Sequence, residues 1–85
     1  MEEIPIGKAE KFFGKIGVAA IKVTAGELKL GDKIRIKGHT TDFEQTVDSM
    51  QVEHADVQKV GPGDEIGIKT KERAHENDTV YLVTG

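Results

Sequence analysis

The sequence contains no cysteine, no tryptophan, two prolines and one serine in 85 residues. Without cysteine the chain has no disulfide, no thiolate nucleophile and no cysteine-bound zinc. Ser49, the one serine, has no histidine partner evident in the sequence, and the three histidines are too widely spaced to predict a metal site. These absences predict a protein that is not an enzyme and holds neither metal nor cofactor.

Long apolar runs are also missing, and the longest, residues 16–21, is too short to cross a bilayer. The first residues are acidic and include Pro5, unlike the basic start of an export signal, so we expect a cytoplasmic protein without a membrane partner. No Gly-x-x-x-x-Gly-Lys-Ser/Thr loop occurs, which excludes nucleotide binding by a P-loop. The 32% of charged residues, with both signs balanced, is typical of proteins from thermophiles.

The apolar residues that are present recur at every second position, in short runs broken by glycine, and this period predicts strands. The predicted strands cover residues 8–13, 16–23, 33–37, 43–52, 66–68 and 79–83. Val47 lies out of phase with Met50, so we expect a β-bulge near Asp48 and Ser49. Six short strands in one domain of residues 1–85 predict an all-β fold, a small closed six-stranded barrel with short loops and at most a single helical turn.

Three segments carry a more specific pattern of glycine turns and alternating strand residues: 26–36, 47–51 and 61–68. In order and spacing they resemble the β-barrel second domain of translational GTPases such as elongation factor Tu and the initiation factors. The resemblance covers residues 7–83 and leaves 1–6 as an N-terminal extension. Within these segments the residues expected to shape turns, or to fill the barrel in the case of leucine, are Gly26, Leu28, Gly31, Asp32, Gly61, Pro62, Gly63 and Asp64.

The sequence shows no GTPase domain, so the chain is similar to short stand-alone elongation-factor-like proteins and should have no GTPase activity of its own. The resemblance implies a translation-associated barrel that contacts tRNA or ribosomal RNA. The alternative is an accessory protein-interaction module, whose protein partner is a separately encoded RNA-modifying or translation enzyme. Both readings stay open at this point.

Charge is unevenly distributed, although the net charge is −3. Residues 7–39 carry eight basic and three acidic side chains, whereas residues 40–85 carry four basic and ten acidic ones. Strand alternation places several cations on one outer face, which together with one turn lysine forms the candidate RNA-binding set. That set is Lys33, Arg35, Lys37, His39 and Lys15. The same lysines would also be expected on a solvated strand that protects a sheet edge.

The loop Thr40, Thr41, Asp42 and Phe43 joins hydroxyl, acidic and aromatic groups, and it is a candidate recognition loop. It would equally suit a hydrogen-bonded turn. Phe12 and Phe13 are adjacent and should point to opposite faces of a strand, so one of them is expected to face outward as a partner contact or under a loop.

Overall fold

The computed structural model describes residues 2–84, and the secondary structure in that range is entirely β. Alternating burial along the strands produces it, as in Val18–Val23, where every second side chain is buried. No helix in the described range is long and apolar enough to cross a membrane. The ten strands are β1 (Glu2–Phe13), β2 (Val18–Val23), β3 (Leu28–Lys29), β4 (Lys33–Lys37), β5 (Asp42–Thr46), β6 (Met50–Val52), β7 (Ala55–Val57), β8 (Lys59–Val60), β9 (Glu65–Lys69) and β10 (Thr79–Thr84).

The all-β prediction is confirmed, but the closed six-stranded barrel is wrong in strand number and in closure. One antiparallel sheet has the order β5-β4-β10-β1-β2-β9-β6-β7, and β3 pairs with β8 in a small second sheet. In the part of the chain that the structure describes, no backbone ladder joins β5 to β7. The large sheet therefore has two edges.

The predicted strand 43–52 is divided because Val47 leaves the ladder. Its side chain is buried, its N–H donates to the carbonyl of Asp32 (2.8 Å), and its carbonyl accepts from Gly31 (2.9 Å). The chain thus breaks at residues 47–49, where a single bulge was expected, and resumes as β6. Placing one apolar side chain in the core required giving up three ladder positions.

The β5 edge approaches the end of β9 through a side chain. The Gln45 amide donates to the carbonyl of Lys69 (2.9 Å) and accepts from the N–H of Lys71 (2.8 Å). Gln45 thus reproduces across the gap the donor and acceptor that a neighbouring strand would supply. The sheet curls far enough for this contact, which accounts for its barrel-like outline.

The curl originates in β1, which pairs with β10 on one side and β2 on the other. Its register shifts twice, between Pro5 and Gly7 against β10 and between Ala9 and Lys11 against β2. Each irregularity resets the alternation of side chains and bends the strand. The core side chains of β1 consequently lie three apart, at Ile6, Ala9 and Phe12.

The core is a single apolar cluster inside the curled sheet, to which nearly every strand contributes. Leu28 is completely buried and Val60, its partner across the small sheet, is buried as well. Glycine turns with positive φ precede and follow them at Gly26, Gly31 and Gly63. The Asp32 and Asp64 carboxylates accept the N–H groups of residues three positions earlier, which closes both turns.

Gly7 marks the closest approach within the sheet, and its replacement tests this packing. A Cβ there would lie 2.4 Å from the carbonyl oxygen of Lys22, which is backbone on the neighbouring strand and cannot rotate away. We expect Gly7→Ala to lower the free energy of unfolding by about 2 kcal/mol, the usual order for overpacking, as measured by urea denaturation. Gly14→Ala is the matched control and should change it by less than about 0.5 kcal/mol, since no atom lies nearer than 3.9 Å. Equal effects of the two substitutions would contradict this account of β1.

Candidate functional site

The basic row on β4 has the predicted orientation, with Ile34 and Ile36 buried and Lys33, Arg35 and Lys37 on the outer face. The adjacent strand β5 carries carboxylates opposite two of these cations. Arg35 pairs in register with Glu44, and Lys37 pairs with Asp42. The row therefore lies beside an acidic row rather than forming an isolated cationic surface.

Arg35 is the centre of that arrangement. Its guanidinium hydrogen-bonds Asp42 (Nη1 to Oδ1, 2.5 Å) and Glu44, and Nε lies 2.6 Å from a carboxylate oxygen of Glu3 without hydrogen-bond geometry. The hydrogen bond to Asp42, and then the charges of Glu3 and Glu44, raise the pKa of Arg35 above its ordinary value, although desolvation opposes them. Three carboxylates neutralise this one guanidinium, so Arg35 is not free to pair with a phosphate.

The other two candidate cations are both exposed, His39 in the bend after β4 and Lys15 in the turn between β1 and β2. Lys15 belongs to a turn of four residues, 14–17, instead of the expected two-residue connection at 14–15. Gly17 adopts a φ of 66° there, and its N–H bonds the carbonyl of Phe13.

The loop 40–43 is tied to the protein by its own side chains. Thr41 is buried, and its hydroxyl lies 2.7 Å from Nδ1 of His75. Asp42 bonds Arg35, and Phe43 is buried in the core. Only Thr40 is without such a role in the described structure, so this segment is chiefly a hydrogen-bonded turn.

Thr41, His75 and Asp78 bring a hydroxyl, an imidazole and a carboxylate together, but not as a proton relay. Thr41 and Asp78 both face Nδ1 of His75, at 2.7 and 3.9 Å, whereas a relay needs the hydroxyl and the orienting carboxylate on opposite ring nitrogens. Asp78 is buried and accepts the backbone N–H of His75 at 2.7 Å. A Cβ on Gly38 would lie 1.8 Å from its other oxygen, so the carboxylate sits directly on that glycine. This cluster anchors the loop before β10.

Within residues 2–84 no three His, Asp or Glu side chains are placed to share a metal ion.

An apolar groove on the outer face of the large sheet is the strongest candidate site. Phe13, with 42% of its surface exposed, and Ile16, with 63%, stand at one side of it, next to Val18. Ala20 and Gly67 are paired in register on β2 and β9 and lie at the bottom. Sequence reasoning expected one of Phe12 and Phe13 to face outward, and it is Phe13, but the groove as a whole was missed. The signal that could have found it is the pairing of small residues on neighbouring strands.

Acidic residues form the opposite side of the groove. Glu10, Glu53 and Glu65 line it together with His54. Within residues 2–84, neither Glu10 nor Glu53 has a cation within 4 Å, while Glu65 lies 3.7 Å from Lys22.

Glu53 and His54 reach the groove from an unusual turn. They are the two residues between β6 and β7, and both have positive φ, 51° and 66°. A two-residue hairpin of this kind prefers Asn-Gly or Asp-Gly, because a side chain larger than these is strained at positive φ. The cost is about 1–2 kcal/mol for each such residue. Strain held next to an apolar groove is a reason to look for function there.

This chain is similar to a domain family of translation factors and to proteins named as proteases. The family model Elongation factor Tu domain 2 matches residues 17–79. An uncharacterized protease of Methanocaldococcus jannaschii is 40% identical over 82 residues, and a collagenase of Porphyromonas gingivalis is 37% identical over 81. These matches cover 95% and 94% of this chain but 20% of each relative, so the chain spans about a fifth of their length.

A solved structure has the same fold as this chain. The C-terminal domain of a Geobacillus thermoleovorans protein assigned to the U32 peptidases superposes with a TM-score of 0.87, covering 96% of this chain and 93% of that one. At 15% identity the similarity concerns the fold alone.

These findings correct the function expected from sequence. The resemblance to the barrel of translation factors is right at the level of the family, but the relatives are named as a protease and a collagenase, which contradicts a translation-associated, RNA-binding role. Contact with tRNA or the ribosome has no support from them, and the carboxylates around Arg35 give a physical reason against it. The alternative, an accessory protein-interaction module, fits better.

The strain in the groove-side hairpin is testable by replacing both turn residues. Glu53→Asn combined with His54→Gly should raise the free energy of unfolding by about 1–2 kcal/mol, because Asn and Gly accept positive φ more readily. Urea denaturation measures the change. Glu53→Ala is the control, since it removes the carboxylate but leaves a side chain strained at that φ, and it should give no such gain. A double variant no more stable than the wild type would show that the turn is unstrained.

Proposed function

We propose that this domain, which belongs to the elongation factor Tu domain 2 family, is a non-enzymatic module that binds protein on behalf of a protease-type catalytic region. The observation that carries the proposal is the groove bounded by Phe13, Ile16 and Val18 on the outer face of the sheet. Exposed apolar residues gathered at one groove are typical of protein-interaction sites, whereas isolated ones are common everywhere.

The relatives supply the kind of partner. In them the matched segment is a minor part of a protein named for proteolysis, so a catalytic region accounts for some of the rest. The module's task is then to bind that region. The partner enzyme is thus of the protease type, in place of the RNA-modifying or translation enzyme first considered.

The chemistry of the described residues also favours binding over catalysis. The hydroxyl, imidazole and carboxylate of Thr41, His75 and Asp78 are used to anchor a loop, with two of them buried. The groove itself offers carboxylates and one imidazole along an open surface. Among the described residues that line the groove, no hydroxyl or thiol stands beside that imidazole as a nucleophile.

Association with a separately expressed catalytic region tests this function. The Methanocaldococcus jannaschii relative, produced without its matched segment and checked for folding by circular dichroism, is titrated with this domain in a calorimeter. We expect binding, and we expect Ile16→Ser to weaken it about tenfold, the value of one apolar side chain removed from a contact.

Ile4→Ser is the matched control, because Ile4 is also an exposed isoleucine, at 44%, but lies outside the groove. It should leave the affinity unchanged. Absence of binding to a folded catalytic region, or equal losses in both variants, would count against the proposal. So would hydrolysis of casein or gelatin by the domain alone.

A further inference from the structure

The floor of the groove is a row of residues that crosses three strands. Ala20 on β2 pairs with Gly67 on β9, and Gly67 pairs with Gln51 on β6. Neighbouring strands lie about 4.8 Å apart, so this row extends about 10 Å perpendicular to the strands. Ala20 and Gly67 have little or no side chain, so the row is shallow at these two positions. The Gln51 amide donates to the Asp56 carboxylate on the neighbouring strand β7 (3.1 Å). The floor is therefore a channel across the sheet.

The two sides of the channel differ in chemistry. Along β2, Val18 lies two residues before Ala20 and pairs with Phe13 on β1. Lys22 lies two residues after Ala20 and pairs with Glu65 on β9. Each step of two residues is about 7 Å, so the sides are set off equally from the floor. The side that contains Phe13 and Val18 is apolar, and Ile16 from the β1–β2 turn adds to it. Lys69 on β9, which pairs with Val18, marks the end of this apolar side.

The other side is acidic and incompletely neutralised. Glu10 is at the β1 irregularity, and Glu53 is on the strained hairpin. The Lys22–Glu65 pair is an exposed one, with side chains 41% and 65% accessible, and pairs of this kind contribute about 0–1 kcal/mol, so a competing cation can replace Lys22. Lys8 pairs in register with Lys22 and is a second cation on this side. Lys11 lies over the Phe13 ring with Nζ 5.1 Å from its centroid.

A straight chain laid along this channel would meet a different chemistry on each flank. Successive side chains of an extended peptide point in opposite directions. Every second side chain would then reach Phe13, Ile16 and Val18, and the intervening ones would reach the carboxylates. Charge complementarity calls for lysine or arginine at the second set of positions.

We infer that the channel binds an extended peptide segment in which apolar and basic residues alternate. The inference rests on the proposed function and specifies the partner's chemistry. It also explains why the hairpin carries Glu-His in place of Asn-Gly, since Glu53 is one of the two carboxylates lining the groove, Glu10 being the other, that have no cation within 4 Å in residues 2–84.

Two peptides of identical composition provide the test. One is an acetylated, amidated and fluorescein-labelled hexapeptide of alternating valine and arginine, and the other has three valines followed by three arginines. Six extended residues span about 20 Å, enough to cover the channel. We expect fluorescence anisotropy to show the alternating peptide binding at least fivefold more tightly than the block peptide, with an affinity that falls as salt is added.

Variants of this chain locate the binding. Glu10→Gln with Glu53→Gln should weaken the alternating peptide about three- to tenfold, the range for two exposed ion pairs. Ile16→Ser should weaken it by a similar factor. The control makes the same change of charge elsewhere, Glu2→Gln with Glu72→Gln, and should alter the affinity by less than twofold.

Equal affinity for both peptides, no binding, or equal effects of the two double variants would overturn the inference. So would a dimer in sedimentation velocity that Ile16→Ser dissociates, since the channel would then be occupied by a second copy of the chain. These failures are distinct from failure of the proposed function. A catalytic region that binds in an Ile16-dependent manner, while neither peptide binds, would leave that function standing and remove only the alternating pattern.

Discussion

The path of β1 is the constraint on which the rest of the structure depends. This strand has a partner on each side and shifts register once against each of them. The shifts turn Ile6, Ala9 and Phe12 toward the core and leave Phe13 outside, so one backbone feature determines both the packing and the position of the exposed aromatic. The strand can approach β2 this closely only because Gly7 has no Cβ to meet the Lys22 carbonyl.

Two regions of the same outer sheet face use charge in opposite ways. On β4 and β5, Arg35 gathers carboxylates from three positions of the sequence, and the outcome is internal neutralisation that holds strand β5 and the start of β1 to β4. Around the groove, by contrast, Glu10 and Glu53 have no cation within 4 Å in residues 2–84. Carboxylates left without internal partners beside exposed apolar side chains are available to a partner molecule, which is why the groove and not the basic row is the better site.

The groove is a local feature added to a common fold. Its bottom is ordinary sheet in which Ala20 and Gly67 happen to be opposite each other, and its sides come from a four-residue turn and a two-residue hairpin. Function of this sort depends on the site, and the shared fold with a U32 peptidase domain does not specify it.

The sequence by itself determined the all-β class, the family, the inward orientation of Ile34 and Ile36 and the burial of Leu28, because alternation and glycine turns are local properties of the chain. It could not determine which residues become neighbours across strands. The neutralisation of Arg35 joins residues 3, 35, 42 and 44, and the groove joins residues from β1, β2, β6 and β9 with two turns. Only the tertiary structure decided these, since register shifts in β1 and the departure of Val47 from its ladder depend on packing against distant strands.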